Sequence, residues 1–314
     1  MMTNMKAARI HSYGAPEVLA YEDAPRPEPG EGEVLIRVQA AGVNPIDWKI
    51  RSGQMKDMIA HKLPLILGWD VAGVLEAVGP GVTNLKTGSP VYGSLNMTRN
   101  GAYAEYVLAG VSDVALKPTT LKPIQAAAVP VVALTAWQAL FEIAKLSAGQ
   151  RVLIHGAAGG VGSLAVQFAR WKGAQVIATA SAQNHARLRE LGANEILDYK
   201  AVRFEDTVEN VDVILDTIGG DTQERSWGVL KKGGILVSTV SPPSAETAAA
   251  YGVRGELVFV QPNAKQLTEI AQLIDAGLLR LNIETVLPLA DADKAHELGQ
   301  RGQTRGKIVL QVVD

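Results

Sequence analysis

Residues 151–162 read RVLIHGAAGGVG and run straight into SLAVQFARWK. An apolar strand ends, glycines fill the turn, and a helix begins with no linker between them. This order commits the chain to a βαβ unit, and such units assemble parallel sheets. Gly159 and Gly160 remove the Cβ atoms that would hold a pyrophosphate away from the backbone. Gly162 lets the helix lie close on the strand. The amino end of that helix offers free N–H groups and the positive end of its dipole to a phosphate. The pattern is A-x-G-x-x-G, with Ala157 where the usual dinucleotide fingerprint has its first glycine.

The alternation continues downstream. AQVIATA, EILDY, VDVILDT, GGILVSTV and GELVFV read as strands, and NHARLREL reads as a helix closed by Gly192. These predict a doubly wound parallel sheet over residues 124–259. The segment IQAAAVPVVALTAWQALFEIAKL leads into it as helix broken by Pro130. Residues 1–123 differ. AGVNP, LGWDVAGVLEAVGPGVTNL, TGSPVYG and NGAYAEYVLA are short apolar runs bounded by Gly and Pro, the pattern of strands in a barrel-like or sandwich unit. Over 260–314, NAKQLTEIAQLIDAG reads as a helix with Asn263 as its N-cap. LNIETVLPL and KIVLQVV read as strands flanking a short helix, and the segment is expected to return to the first unit. A chain of 314 residues accommodates two such domains.

The second strand of the nucleotide-binding unit bears on the choice of cofactor. NAD sites place Asp or Glu about 20 residues beyond the glycine turn, on the ribose 2′-hydroxyl. Here the strand ends Ile177-Ala178-Thr179-Ala180-Ser181, and no acid follows until Glu190. His185, Arg187 and Arg189 come instead. A small hydroxyl with basic groups nearby suits a 2′-phosphate, so the expected cofactor is NADPH.

Composition removes several other readings. The net charge of −2 gives no basic excess for nucleic acid or an anionic membrane. No apolar run approaches a membrane span, and the opening MMTNMKAARI lacks the apolar core of a signal peptide, so a cytoplasmic location is expected. With no cysteine, disulfides, thiolate metal ligands and a cysteine nucleophile are all ruled out.

AAGVNPIDWKIRSG, LGWDVAGVLEAVG, VYG, GAYAEYV, AAAVPVVALTAWQAL, VLIHGAAGGVG, ELGANEILDY and RGKIVL, taken in order, span nearly the whole chain. In these motifs the chain resembles the zinc-independent quinone oxidoreductase and enone reductase branch of the medium-chain dehydrogenase/reductase superfamily. The resemblance implies an α/β chain with a GroES-like catalytic domain, a Rossmann domain, an active site in the cleft between them, and a homodimer built through the Rossmann sheet edge. It implies that Ala158, Gly159, Gly160 and Val161 wrap the pyrophosphate, that Ser181 and Tyr199 flank the adenosine end with His185 beside them, and that Thr135 lies by the nicotinamide ribose. Ile218, Gly220, Val240, Ser241, Phe259 and Val260 would border the rest of the channel, with Asn44 and Lys49 on the catalytic-domain side. Zinc-dependent relatives carry a catalytic Cys where this chain has Asn44, and His followed by an acid where it has Trp69-Asp70. The expected metal set is therefore none.

Hydride transfer asks little acid–base chemistry of a protein, because the cofactor carries the reaction. The expected acceptor is a quinone or an α,β-unsaturated carbonyl. Asn44 and Lys49 are candidates to stabilise charge on its oxygen, and solvent or Tyr103 to supply the proton. Each has a plainer reading: Asn44 precedes Pro45 and can shape a turn, Tyr103 can be a packing aromatic, and Asp47 and Asp70 can be buried, hydrogen-bonded structural carboxylates. The rival functions are a non-catalytic NADPH-binding protein on the same fold and a zinc alcohol dehydrogenase.

Overall fold

A computed structural model describes residues 3–302 and 306–313. The chain divides into two compact units. The first comprises residues 1–131, 261–276 and 281–314, and the second 132–260 and 277–280.

The first unit opens with β1 (Asn4–Ile10), β2 (Leu19–Pro25) and β3 (Glu33–Val43), then α1 (Pro45–Arg51). It continues with β4 (Leu65–Ile66), β5 (Asp70–Val78), β6 (Pro90–Ser94), β7 (Tyr106–Gly110), β8 (Val114–Leu116) and α2 (Pro123–Ala127). The helix α3 (Pro130–Trp137) begins at its boundary. The long strand β3 organises this unit. Its first half pairs with β7, its second half with the returning carboxyl-terminal strand, and its other edge with β5 through two register shifts. Such irregularities bend a strand, which lets one strand serve two partners along a single edge.

The helix α1 departs from the all-strand expectation for residues 1–123. Its signal is local: Asn44 in extended conformation at the N-cap, Pro45 at the first helical position, and Asp47 reaching back from N3 to accept from the Asn44 N–H at 2.7 Å. The Gly/Pro punctuation that marks the surrounding strands masked it.

The second unit contains β9 (Arg151–Ile154), α4 (Gly160–Trp171), β10 (Gln175–Thr179), α5 (His185–Leu191), β11 (Glu195–Leu197) and β12 (Val211–Asp216). There follow α6 (Asp221–Ser226), β13 (Leu230–Ser238), α7 (Ala245–Tyr251) and β14 (Arg254–Leu257). The six strands are parallel in the order β11-β10-β9-β12-β13-β14. Every residue of β12 is buried, as a central parallel strand covered on both faces requires. Leu153, Ile177, Ile214, Trp227 and Leu236 lie in one core cluster with Phe204. Gly192 ends α5 in left-handed conformation, its N–H satisfying the last carbonyls.

The chain then rejoins the first unit through α8 (Ala264–Asp275), β15 (Ile283–Pro288), α9 (Ala292–Gln300) and β16 (Lys307–Gln311). The Asn263 side chain caps α8, accepting from Gln266 N–H at 3.1 Å. The strand β16 pairs antiparallel with β3, setting Ile308 opposite Val43, and parallel with β15.

Candidate active site

The glycine turn is built as its sequence requires. Gly156 turns the chain at φ +66°. Gly159 is extended at the entrance to α4, and no side chain caps that helix. Its first-turn N–H groups have no partner within the helix and stay open to an anion. A Cβ on Gly162 would stand 2.4 Å from the Gly156 carbonyl oxygen and 2.7 Å from Ala157 Cα, so only glycine permits this contact. Ala158, Gly159, Gly160 and Val161 are half-buried, which leaves the loop accessible. These features fit a dinucleotide pyrophosphate.

The strand order places this loop at a topological switch point. From β9 the chain builds outward through β10 and β11, then returns to β12 on the opposite side and builds through β13 and β14. Asp216, fully buried at the end of β12, organises the next loop. Its carboxylate accepts from the Ile218 and Gly219 N–H groups at 2.9 Å each, from Gln223 Nε2 at 2.9 Å and from the Ser238 hydroxyl at 3.1 Å. Ile218, Val240 and Phe259, just past the carboxyl ends of β12, β13 and β14, are 53%, 41% and 44% exposed. Large apolar side chains standing in water along the carboxyl edge of a parallel sheet mark a surface made for a ligand. Gly220 lies in the same rim at φ 55°, and Ser241 and Val260 are half-buried.

At the end of β10, Ser181 accepts from Asn184 Nδ2 at 3.0 Å, and His185 Nε2 lies 3.2 Å from the Ala180 carbonyl oxygen. That carbonyl requires Nε2 to carry the proton, which leaves Nδ1 free of this contact. The Tyr199 ring is 60% exposed. Thr135 is buried on α3. Two groups here escaped the sequence reading. One is Asp216. The other is His155, 1% exposed between the Thr179 and Ser226 hydroxyls at 3.1 and 3.0 Å. Burial holds its pKa down to about 4, so the ring is neutral at pH 7.

The first unit gathers Asn44 and Tyr103 into one buried polar network, and Lys49 stands outside it. Asn44 is 2% exposed. Its Nδ2 donates to Asp70 Oδ2 at 2.7 Å and its Oδ1 accepts from the Lys307 ammonium. Lys307 also donates to the Val43 carbonyl and to Asp70 Oδ2, at 3.0 Å each. The other Asp70 oxygen takes the Val131 N–H at 2.6 Å. Gly42 makes room for that carboxylate, since a Cβ there would lie 2.7 Å from Asp70 Oδ2. The short-range Asn44–Asp47 contact was within reach of sequence reasoning, whereas Lys307 was not.

A second branch runs from Arg51 to Asp47. Arg51 Nη1 is 3.3 Å from His296 Nδ1, His296 Nε2 is 3.2 Å from the Tyr103 hydroxyl, and that hydroxyl donates to Asp47 Oδ2 at 3.0 Å. A guanidinium only donates, so His296 Nδ1 accepts and its proton sits on Nε2. The donors therefore all point toward Asp47. Burial lowers the His296 pKa to about 3 and, with the Asp47 charge, raises that of Tyr103 well above the usual phenol value. Burial lifts Asp47 to about 7 against the pull of the Asn44 N–H and Lys307. Asp47 Oδ2 takes both the Asn44 and Tyr103 donors, while Oδ1 is buried without a partner. Tyr103 is thus an interior group with its hydroxyl engaged on both sides. Lys49 is half-buried on α1 and makes no ion pair among the described residues.

This donor set does not suit a zinc ion. An ammonium already occupies the point where the Asn44 and Asp70 oxygens converge, and Trp69 offers no ligand atom. Among the described residues no three His, Asp or Glu side chains group as a metal site.

Two family models match: an alcohol dehydrogenase GroES-like domain over residues 30–119 and a zinc-binding dehydrogenase over residues 191–310. The chain is 33% identical to the mitochondrial NAD(P)H oxidoreductase RTN4IP1 of Danio rerio, over 99% of this chain and 92% of that one. It is 34% identical to the 2-methylene-furan-3-one reductase of Solanum lycopersicum, over 99% of this chain and 80% of that one. The solved quinone oxidoreductase of Coxiella burnetii superposes with a TM-score of 0.92 at 37% identity, covering 99% of this chain and 100% of that one. With the glycine turn, the switch-point rim and matches along both units, the chain belongs to the quinone oxidoreductase branch of the medium-chain dehydrogenase/reductase superfamily and is an oxidoreductase.

Proposed function

We propose that this chain is an NADPH-dependent, zinc-free reductase of quinones or α,β-unsaturated carbonyls. The observation that carries the cofactor assignment is the end of β10, where Ser181 and His185 stand and the chain carries no Asp or Glu before Glu190. That local sequence suits a 2′-phosphate and lacks the acid that NAD sites carry at the end of this strand. The quinone and enone reductase activities of the relatives support the acceptor class.

Bound at this rim, the nicotinamide cofactor supplies a hydride. The open first turn of α4, behind Gly159 and Gly160, holds its pyrophosphate. The Ser181 hydroxyl can donate to the 2′-phosphate with the His185 ring beside it, and the exposed Tyr199 ring offers a face to the adenine. Ile218, Val240 and Phe259 give up water-exposed apolar surface to the dinucleotide. In the first unit, the second Nδ2 N–H of Asn44 and the Lys49 ammonium are the donors left to stabilise negative charge on the acceptor oxygen. For an enone the β-carbon gains hydride and the α-carbon a proton, giving the saturated ketone. For a quinone the same two additions give the hydroquinone. The proton comes from solvent, because the Tyr103 hydroxyl is sealed between Asp47 and His296.

The test is oxidation of NADPH, with NADH in parallel, against phenanthrenequinone, benzoquinone, a simple enone and an enal, on protein assayed for zinc. Turnover with NADPH preferred and zinc well below one per chain is expected. NADH preference, or stoichiometric zinc, overturns the corresponding part of the assignment. NADPH binding without turnover on any acceptor favours a non-catalytic binding protein.

A further inference from the structure

Lys307 is 6% exposed and Asp70 fully buried, a charged pair far from each other in sequence. A buried ion pair is weak evidence of added stability, because desolvation offsets much of the attraction. What this pair does geometrically is more specific. An ammonium has three donors, and all three are used here, on the Val43 carbonyl, Asn44 Oδ1 and Asp70 Oδ2. None is left for a ligand, so Lys307 acts only through its neighbours. A side-chain amide has two faces that differ little in shape, and its hydrogen-bond partners alone decide which way it lies. Lysine can only donate and an ionised carboxylate can only accept. With Lys307 on one side and Asp70 on the other, the Asn44 amide has a single satisfied orientation. In the flipped state an N–H would face an ammonium, and an oxygen would face a carboxylate.

We propose that Lys307 and Asp70 are positioning residues that fix the orientation of the Asn44 amide, so that the Nδ2 N–H not taken by Asp70 is the one presented to the acceptor oxygen. This rests on the reading of Asn44 as the polar donor. The register makes it possible. Ile308 pairs with Val43, which brings Lys307 level with Asn44, and Gly42 pairs with Asp70 on the other edge of β3. Three strands thereby deliver an amide, a cation and an anion to one point. Asp47 fixes the Asn44 backbone at the same place through its N–H.

The experiment is a cycle of three variants: Asn44→Ala, the charge-neutral pair Asp70→Asn/Lys307→Met, and all three changes together. Readouts are kcat and acceptor KM with a quinone, NADPH affinity by fluorescence, and melting temperature. The pair variant is expected to lose about tenfold or more in kcat, about 1.4 kcal/mol of transition-state stabilisation, with NADPH affinity held within about threefold. In the Asn44→Ala background the pair changes are expected to cost kcat less than about twofold, because they act through the missing amide. A pair effect of equal size in both backgrounds overturns the positioning role while leaving Asn44 as the donor. An Asn44→Ala enzyme with full kcat overturns the donor reading itself. The wild-type chain gives a reading that does not depend on any variant folding. In the NMR spectrum of the oxidised-cofactor complex, one of the two Asn44 side-chain N–H signals is expected to shift when quinone is added while the other, held by Asp70, stays in place. No shift in either, or equal shifts in both, overturn the proposal.

Discussion

Replacing Asp47 with Asn should make the first unit more stable at pH 8 than at pH 5 relative to wild type. The carboxyl is fully buried, one of its oxygens has no partner, and burial raises its pKa from 3.8 to about 7. The folded chain therefore holds a proton that the unfolded chain has released across pH 4–7. Stability is unaffected below the unfolded pKa, falls as pH rises through that window, and reaches its full penalty above about 7. The whole shift corresponds to about 4 kcal/mol. Between pH 5 and pH 8 the wild type loses about 2–3 kcal/mol from this group alone. An Asn side chain can keep the acceptor for the Asn44 N–H and Tyr103 hydroxyl while carrying no titrating charge. Its NH2 then sits where Oδ1 is already unpartnered, at a cost of about 1–3 kcal/mol that does not vary with pH. The comparison is wild type against Asp47→Asn in urea at both pH values. Tryptophan fluorescence, with Trp48 and Trp69 in the first unit and Trp137, Trp171 and Trp227 in the second, is fitted as more than one transition. The difference in unfolding free energy should move by about 2–3 kcal/mol in favour of the variant from pH 5 to pH 8. A pH-independent difference would refute the reasoning, since it would mean that the buried carboxyl stays ionised throughout.

Three further outcomes are expected. Ser181→Asp should weaken NADPH by about tenfold or more relative to its effect on NADH, because a carboxylate would face the 2′-phosphate; equal losses in a fluorescence titration would show that Ser181 is not at that position. Gly162→Ala should destabilise the second unit by about 1–3 kcal/mol and lower NADPH affinity, as its Cβ must push the Gly156 carbonyl from 2.4 Å; unchanged melting and affinity would count against the tight turn. His155 is held neutral with its pKa lowered to about 4, so its contribution is present above about pH 6.5 and is lost as pH falls toward 4, about 3 kcal/mol in all. His155→Gln should flatten the acid limb of the unfolding profile of the second unit, and a profile as steep as wild type would exclude His155 as its source.

What was legible in the sequence follows a physical division. The parallel sheet was readable because its signals are local. Apolar runs of strand length, helices closed by Gly192 and Gly173, and a glycine turn between strand and helix each act within a dozen residues. The Asn263 cap was readable for the same reason. The helix α1 carried an equally local signal in Asn44, Pro45 and Asp47, but turn-forming residues on both sides disguised it. Asp216 was also within reach, as an acid ending a strand ahead of two glycines. Its role depends on loop N–H groups whose direction only the folded turn fixes.

The polar network of the first unit is of another kind. Asn44 follows β3 while Asp70 and Lys307 lie on β5 and β16, and nothing in the local sequence of any one of them points to the other two. Tyr103 shows the consequence. A tyrosine in GAYAEY reads as an available proton donor until His296, from α9, and Asp47, from α1, close on its hydroxyl. A buried polar side chain must be matched by partners somewhere, so sequence predicts that such partners exist without saying which residues they are. Only the register of β3 against β5 and β16 supplies that, and here it converts an asparagine next to a proline from a turn former into an amide with one fixed orientation. The parallel-sheet unit was therefore readable as pattern. The polar network of the first unit is decided by strand register, which is where substitutions that leave every local motif intact would still rearrange the polar groups.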